Sequence, residues 1–206
     1  MVCIPVYLIF TFISHLHKRD INPVANWLSD YGNPFLNPSG ALLYNMGCII
    51  VAVLLAVFYA GMFKWYMNRK IARKYVICYV CAQISGIAAS VFLVLASLVP
   101  LGVNDGLHGV FSTLNMIGMD SFLSFTALAF FLNPDMKKWI GVMGYLSAVF
   151  NVITMNAFSS LYIAEWIYFL LFMAYMAIIF YNYENIVKNE GIPAGPKPGH
   201  GREAAL

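Results

Sequence analysis

The chain is predicted to be an all-α integral membrane protein, a polytopic six-helix bundle with both termini in the cytoplasm. Three observations carry this. Hydrophobic residues make up 61% of the 206 residues and charged residues only 10%, with a mean hydropathy of +0.74. Soluble domains average about 45–50% apolar and about 25% charged, so most of this surface is built for lipid. The apolar residues fall into six runs, and six spans of about 20 residues leave no room for a separate soluble domain. Finally, ten of the twelve Lys and Arg residues lie between runs two and three, between runs four and five, or after run six. The positive-inside bias places those segments in the cytoplasm.

Span 1 runs from Met1 to about Ser14 and is short for a bilayer. Either it snorkels through His15, His17, Lys18 and Arg19, or the native start lies upstream. No basic segment precedes the apolar run, which argues against a cleaved signal peptide. The loop from His15 to Gly40 contains the stretch Trp27–Asn45, WLSDYGNPFLNPSGALLYN. Gly32, Pro34, Pro38 and Gly40 break regular structure there, while Asn33, Asn37 and Ser39 suit turns and caps. Ser39 or Gly40 is the expected N-cap of span 2, Ala41 to Phe63. Ala52, Ala56 and Ala60 form a small-residue stripe that permits close helix contact.

The basic segment Lys64–Lys74 leads to span 3, Tyr75 to Val99, where Ala82, Gly86 and Ser90 form a second such stripe. A short turn, Pro100 to His108, precedes span 4, Val110 to Leu132, in which Gly118 is a candidate break. Span 5 is Ile140 to Phe158 and span 6 Ile163 to about Tyr183. Residues 1–183 thus form one transmembrane domain, and the Gly- and Pro-rich segment 184–206 reads as a polar, disordered cytoplasmic tail.

Most polar side chains gather at the outer ends of the spans: Asp30 and Asn33, then Asn104, Asp105 and His108, then Asn156 and Glu165. His108, Ser112 and Asn115 share one helical stripe. Carboxylates with an imidazole at one membrane face can hold a divalent cation or act as acid and base on a lipid headgroup. The bland alternative is that they are caps and turn residues, since Asp105-Gly106 is a common turn dipeptide. Asp120 lies twelve residues past His108, about 18 Å along a helix, and an ionisable group at that depth is a functional hypothesis by default. Asn151 matches it in depth. A hydrogen-bonded Asp120–Asn151 pair would lock helices together, whereas an ionised Asp120 in a wet cavity would handle protons or ions. Cys78 and Cys81 have the C-x-x-C spacing, yet no second Cys/His pair stands at their depth, so they read as packing residues. Haem ligation by His15 or His17 with His108 has no further support. No metal and no cofactor is expected. Nor is nucleic acid, because the net charge of +3 comes from residues beside the spans.

The chain resembles the DUF998 family of six-span prokaryotic membrane proteins, which is in turn similar to the eukaryotic Frag1/DRAM/Sfk1 group. The resemblance lies in Leu28-Ser29-Asp30-Tyr31-Gly32, in Leu43-Tyr44-Asn45-Met46-Gly47, and in Leu98-Val99-Pro100 followed by His108-Gly109. It covers nearly the whole chain. Asp30, Gly32, Asn45 and His108 are the positions that match the family pattern. The resemblance implies a prokaryotic cell membrane and, through the eukaryotic group, a loose link to lipids.

Three functional readings follow. In the first, a non-enzymatic protein binds or organises lipid through an outward-facing cleft formed by Asp30, Asn45, Asp105 and His108. In the second, an intramembrane lipid hydrolase or transferase uses Asp30, Asp105 and His108. In the third, a small-solute or proton transporter is centred on Asp120. The expected partners are membrane lipids, with a homo-oligomer or a larger membrane assembly left open.

Overall fold

A computed structural model describes residues 2–67, 72–133, 136–157 and 161–189. Among them stand six α-helices and no strand: α1 (Cys3–His17), α2 (Ala41–Gly61), α3 (Arg73–Leu98), α4 (Asp105–Leu132), α5 (Lys138–Ala157) and α6 (Tyr162–Asn189). A 3₁₀ turn, Leu28–Gly32, interrupts the loop between α1 and α2, and another, Met62–Trp65, extends α2. Consecutive helices pack against one another. This leaves a loop end, with the α1–α2 loop and the starts of α2, α4 and α6, and a lysine end opposite.

Five helical stretches are long and apolar enough to cross a membrane: Ala41–Trp65, Arg73–Leu98, Asp105–Leu132, Lys138–Asn156 and Tyr162–Asn182. The expected six full spans become five and a shorter sixth helix. α1 has 15 residues, about 22 Å of helix against a hydrocarbon core of about 30 Å. It turns Tyr7 and Ser14 inward and Leu8, Ile9 and Phe12 outward. α4 starts at Asp105, five residues before the expected Val110, because Asn104 caps it by accepting the Leu107 N–H at 3.1 Å. α6 continues to Asn189, past the expected start of the tail at Glu184. Residues 190–206, 68–71, 134–135 and 158–160 lie outside the described residues, and with them most of the expected tail and parts of the expected loops.

Apolar residues occupy both surfaces of the bundle, as a lipid solvent requires. Val57, Ile84, Val91, Ile117, Leu146 and Leu170 are exposed, while Tyr59, Trp65, Tyr79, Phe122, Phe130 and Tyr175 are almost wholly enclosed. The buried residues form two clusters. One joins α2 to α6 through Tyr59, Phe122, Phe130, Tyr175 and Met176 towards the lysine end. The other gathers Tyr7, Leu28, Tyr31, Tyr44, Cys48 and Met173 under the loop. Gly118 does not break α4. It lets α4 approach α3 so closely that a Cβ there would stand 2.8 Å from the Ala89 Cβ, the use of glycine that membrane helix pairs favour. At the lysine end the Lys138 Nζ donates to the carbonyls of Phe130 (3.1 Å) and Phe131 (3.0 Å), closing the C-terminus of α4.

Candidate functional site

The α1–α2 loop is a fastened roof. Its side-chain bonds start locally: Asp30 Oδ2 accepts the Trp27 N–H at 3.0 Å and an Asn26 Nδ2–H at 3.2 Å, which closes the first turn of the 3₁₀ segment. Asn37 Nδ2 donates to Ser14 Oγ (2.9 Å) and to the Tyr31 carbonyl (3.0 Å), tying the loop to α1. The Tyr31 hydroxyl meets His15 Nδ1 at 2.8 Å, and burial pushes its pKa above the ordinary tyrosine value. The remaining ties come from far along the chain. The Leu28 N–H donates to Glu165 Oε2 at 2.7 Å, and Trp166 Nε1 donates to the Asn26 carbonyl at 3.0 Å, both from α6. Asn45, one turn into α2, donates through Nδ2 to the Gly32 carbonyl at 2.9 Å.

Beneath this roof lies a cavity of ≈ 70 Å³, room for a few water molecules. Leu28, Asn45, Ser97, His108, Ser112 and Glu165 stand around its polar part. A second, mostly apolar cavity of ≈ 30 Å³ reaches deeper, between Ile4, Leu55, Phe172, Met173 and Met176. Tyr7, Leu93, Asn115, Met119 and Phe169 line both, so the two cavities adjoin along a common wall. His108 is 8% exposed. Its Nδ1 lies 2.9 Å from the Val99 carbonyl and 3.1 Å from that of Ala96. Two acceptors on one side place a proton on Nδ1 and turn Nε2 towards Ser112 Oγ, 3.2 Å away.

Asp105 does not enter this cavity. Its Oδ1 accepts the N–H of Gly102 at 2.5 Å, in a turn where Gly102 takes φ +90°, a conformation open to glycine at little cost. Asp30 stays on its own 3₁₀ turn as well. The expected cleft of Asp30, Asn45, Asp105 and His108 is therefore brought together only in part: Asn45 and His108 line the cavity, and the two aspartates serve the turns beside it. No hydrogen bond joins Asp30, Asp105 and His108 to one another. Among the described residues no group of three or more His, Cys, Asp and Glu gathers as a metal site.

Asp120 has two donors of its own. Tyr168 O–H reaches its Oδ1 at 2.8 Å and Asn151 Nδ2 its Oδ2 at 2.7 Å, so one carboxyl joins α4, α5 and α6. Asn151 Oδ1 is buried without a partner among the described residues. Cys78 is buried and Cys81 half-buried, both as free thiols.

A family model described as a protein of unknown function, DUF998, matches residues 1–181. The chain belongs to the DUF998 family. No curated protein and no solved structure matches it. In this DUF998 protein the short stretches that carry the resemblance meet at one place. Leu28–Gly32 is the 3₁₀ turn of the roof, Leu43–Gly47 opens α2 beneath it, and the Val99 carbonyl holds His108 in the first turn of α4. Sequence reasoning noted Glu165 only as a polar residue at a helix end. A glutamate in a first helical turn has a sufficient local explanation in the helix dipole, so nothing local marks its bond to Leu28, 137 residues away. Ser97, Tyr7 and Tyr168 were missed because each sits in an apolar run and faces the cavity only through helix packing.

Proposed function

We propose that this DUF998 protein binds an amphiphile, with the polar group under the loop roof and the chain in the apolar cavity below. One observation carries the reading: a polar cavity and an apolar one share five lining residues and so lie side by side, the polar one under the loop. Few soluble metabolites match such a pairing, whereas a lipid matches it end to end. The space is narrow, but Met119, Met173 and Met176 stand along it, and methionine side chains rearrange at little cost. By the positive-inside bias the roofed end faces away from the cytoplasm, so the ligand enters from the outer leaflet of a prokaryotic cell membrane. The resemblance to the Frag1/DRAM/Sfk1 group leans towards lipids as well.

Leu93→Trp, in the wall common to both cavities, tests this. Gently purified wild type is expected to retain an amphiphile visible by native mass spectrometry. The variant should retain little of it while its circular dichroism stays helical. Equal retention by both proteins would sink the proposal.

The Ser112–His108 pair favours a second reading, an acyl hydrolase or transferase. In it His108 Nε2 takes the proton of Ser112 as Oγ attacks an acyl ester carbonyl, then gives it to the departing alcohol as the ester C–O bond breaks, with Nδ1 held by backbone carbonyls. This leaves the acid–base role with His108 and gives the nucleophile's role to Ser112, without the aspartates. A fluorophosphonate probe should then modify Ser112 in the wild type and leave Ser112→Ala and His108→Ala untouched. An unlabelled wild type removes the reading.

A further inference from the structure

The cavity's polar groups also define what kind of headgroup suits it. Most of its donors are already committed. His108 Nδ1 serves the Val99 carbonyl, Tyr168 O–H serves Asp120, and Ser97 Oγ donates to the Leu93 carbonyl at 2.8 Å. Asn45 and Asn115 both donate through Nδ2 to backbone carbonyls, of Gly32 (2.9 Å) and Ala89 (2.8 Å). A carbonyl partner fixes the amide orientation, so each Asn offers an Oδ1 acceptor and only one remaining N–H. Glu165 spends Oε2 on the Leu28 N–H, and its Oε1 takes no hydrogen bond from the described residues.

Charge points the same way. No Lys or Arg lines the cavity, and the ion pair found among the described residues, Lys18 with Asp20, lies out on the loop surface. A phosphate or carboxylate headgroup would bring negative charge to Glu165 with no cation to offset it, in surroundings that screen poorly. A hydroxyl would supply a single donor. An ammonium supplies three donors and a positive charge and asks for no donor in return.

We propose that the cavity takes a long-chain amine, with its ammonium at Glu165 Oε1 and its chain in the apolar space below; this rests on the amphiphile-binding reading above. The probes are dodecylamine, dodecanol and dodecanoate, which share one chain and differ only in the head. Each is titrated into the full-length protein in a nonionic detergent and followed by native mass spectrometry. Wild type should bind the amine about tenfold or more tighter than the alcohol, the scale of a charge-assisted hydrogen bond, and the carboxylate more weakly than either. Glu165→Gln keeps a carbonyl for the Leu28 N–H. It should bind the alcohol as before and lose the preference for the amine. An amine bound no tighter than the alcohol by wild type overturns the proposal, as does a preference that survives in Glu165→Gln. The wild-type comparison decides the matter even where the variant fails to fold. Alcohol binding without an amine preference leaves the amphiphile reading standing, whereas failure of all three probes takes both down.

Discussion

Two carboxyl groups, one midway along α4 and one in the first turn of α6, are treated in opposite ways. Asp120 receives two side-chain donors, from Tyr168 and Asn151, one on each oxygen. Glu165, which lines a cavity, receives one backbone donor on Oε2 and takes no hydrogen bond on Oε1 from the described residues. Both were polar residues in apolar helices when read as sequence. What separates them is spent against unspent hydrogen-bonding capacity. A group with its capacity spent on neighbours fixes helices in place, and a group with capacity left over is available to a ligand.

The sharpest way to break this contrast is Asp120→Ala. It strips the acceptor from the Tyr168 hydroxyl and the Asn151 amide together. Each such buried group costs about 1–3 kcal/mol in water-soluble cores, but interhelical bonds in membranes average nearer 0.6 kcal/mol. A total loss of about 1–3 kcal/mol is expected in reversible unfolding, with dodecanol binding unchanged. Weakened binding at unchanged stability would reverse the roles assigned to the two sites.

Tyr168→Phe sharpens the comparison, because Tyr168 lines the cavity and also bonds to Asp120. Removing one hydroxyl should cost about 1 kcal/mol, visible as a small fall in Tm. Affinity should hold, since that hydroxyl already faces Asp120. A large drop in affinity would show that the two sites are one.

Lys18→Ala should do least. The Lys18 ammonium bonds to Asp20 at 2.9 Å and holds its carboxyl below the ordinary aspartate range. A lowered folded-state pKa gives a stabilisation present above the ordinary value of 3.8 and lost as pH falls through the lowered one. Because Asp20 is fully exposed, no change in Tm is expected at neutral pH. A measurable shift would mean that the loop surface contributes to the roof.

Five long apolar helices were legible because period and hydropathy are local properties, and so was the pairing of Asp120 with Asn151, since rise per residue converts sequence into height. Azimuth was not legible. Asp30 and Asp105 were expected beside His108, but turn geometry keeps each carboxylate on a backbone N–H within three residues of itself. Glu165 was the reverse case, an ordinary first-turn acid whose partner lies across the bundle. Gly118 reads as a break in sequence because glycine weakens a helix. Seen beside Ala89, it is a point of contact between helices.

The long-distance ties of the roof have a consequence for biogenesis. Chains are made from the N-terminus, so the α1–α2 loop leaves the ribosome long before α6 exists. Until α6 is inserted, the Leu28 N–H and the Asn26 carbonyl have neither Glu165 nor Trp166 to meet. The ties to α1 and α2 can form early, whereas Glu165 and Trp166 reach the loop together and last. A chain truncated before α6 would carry five helices and a loop that lacks both of these ties.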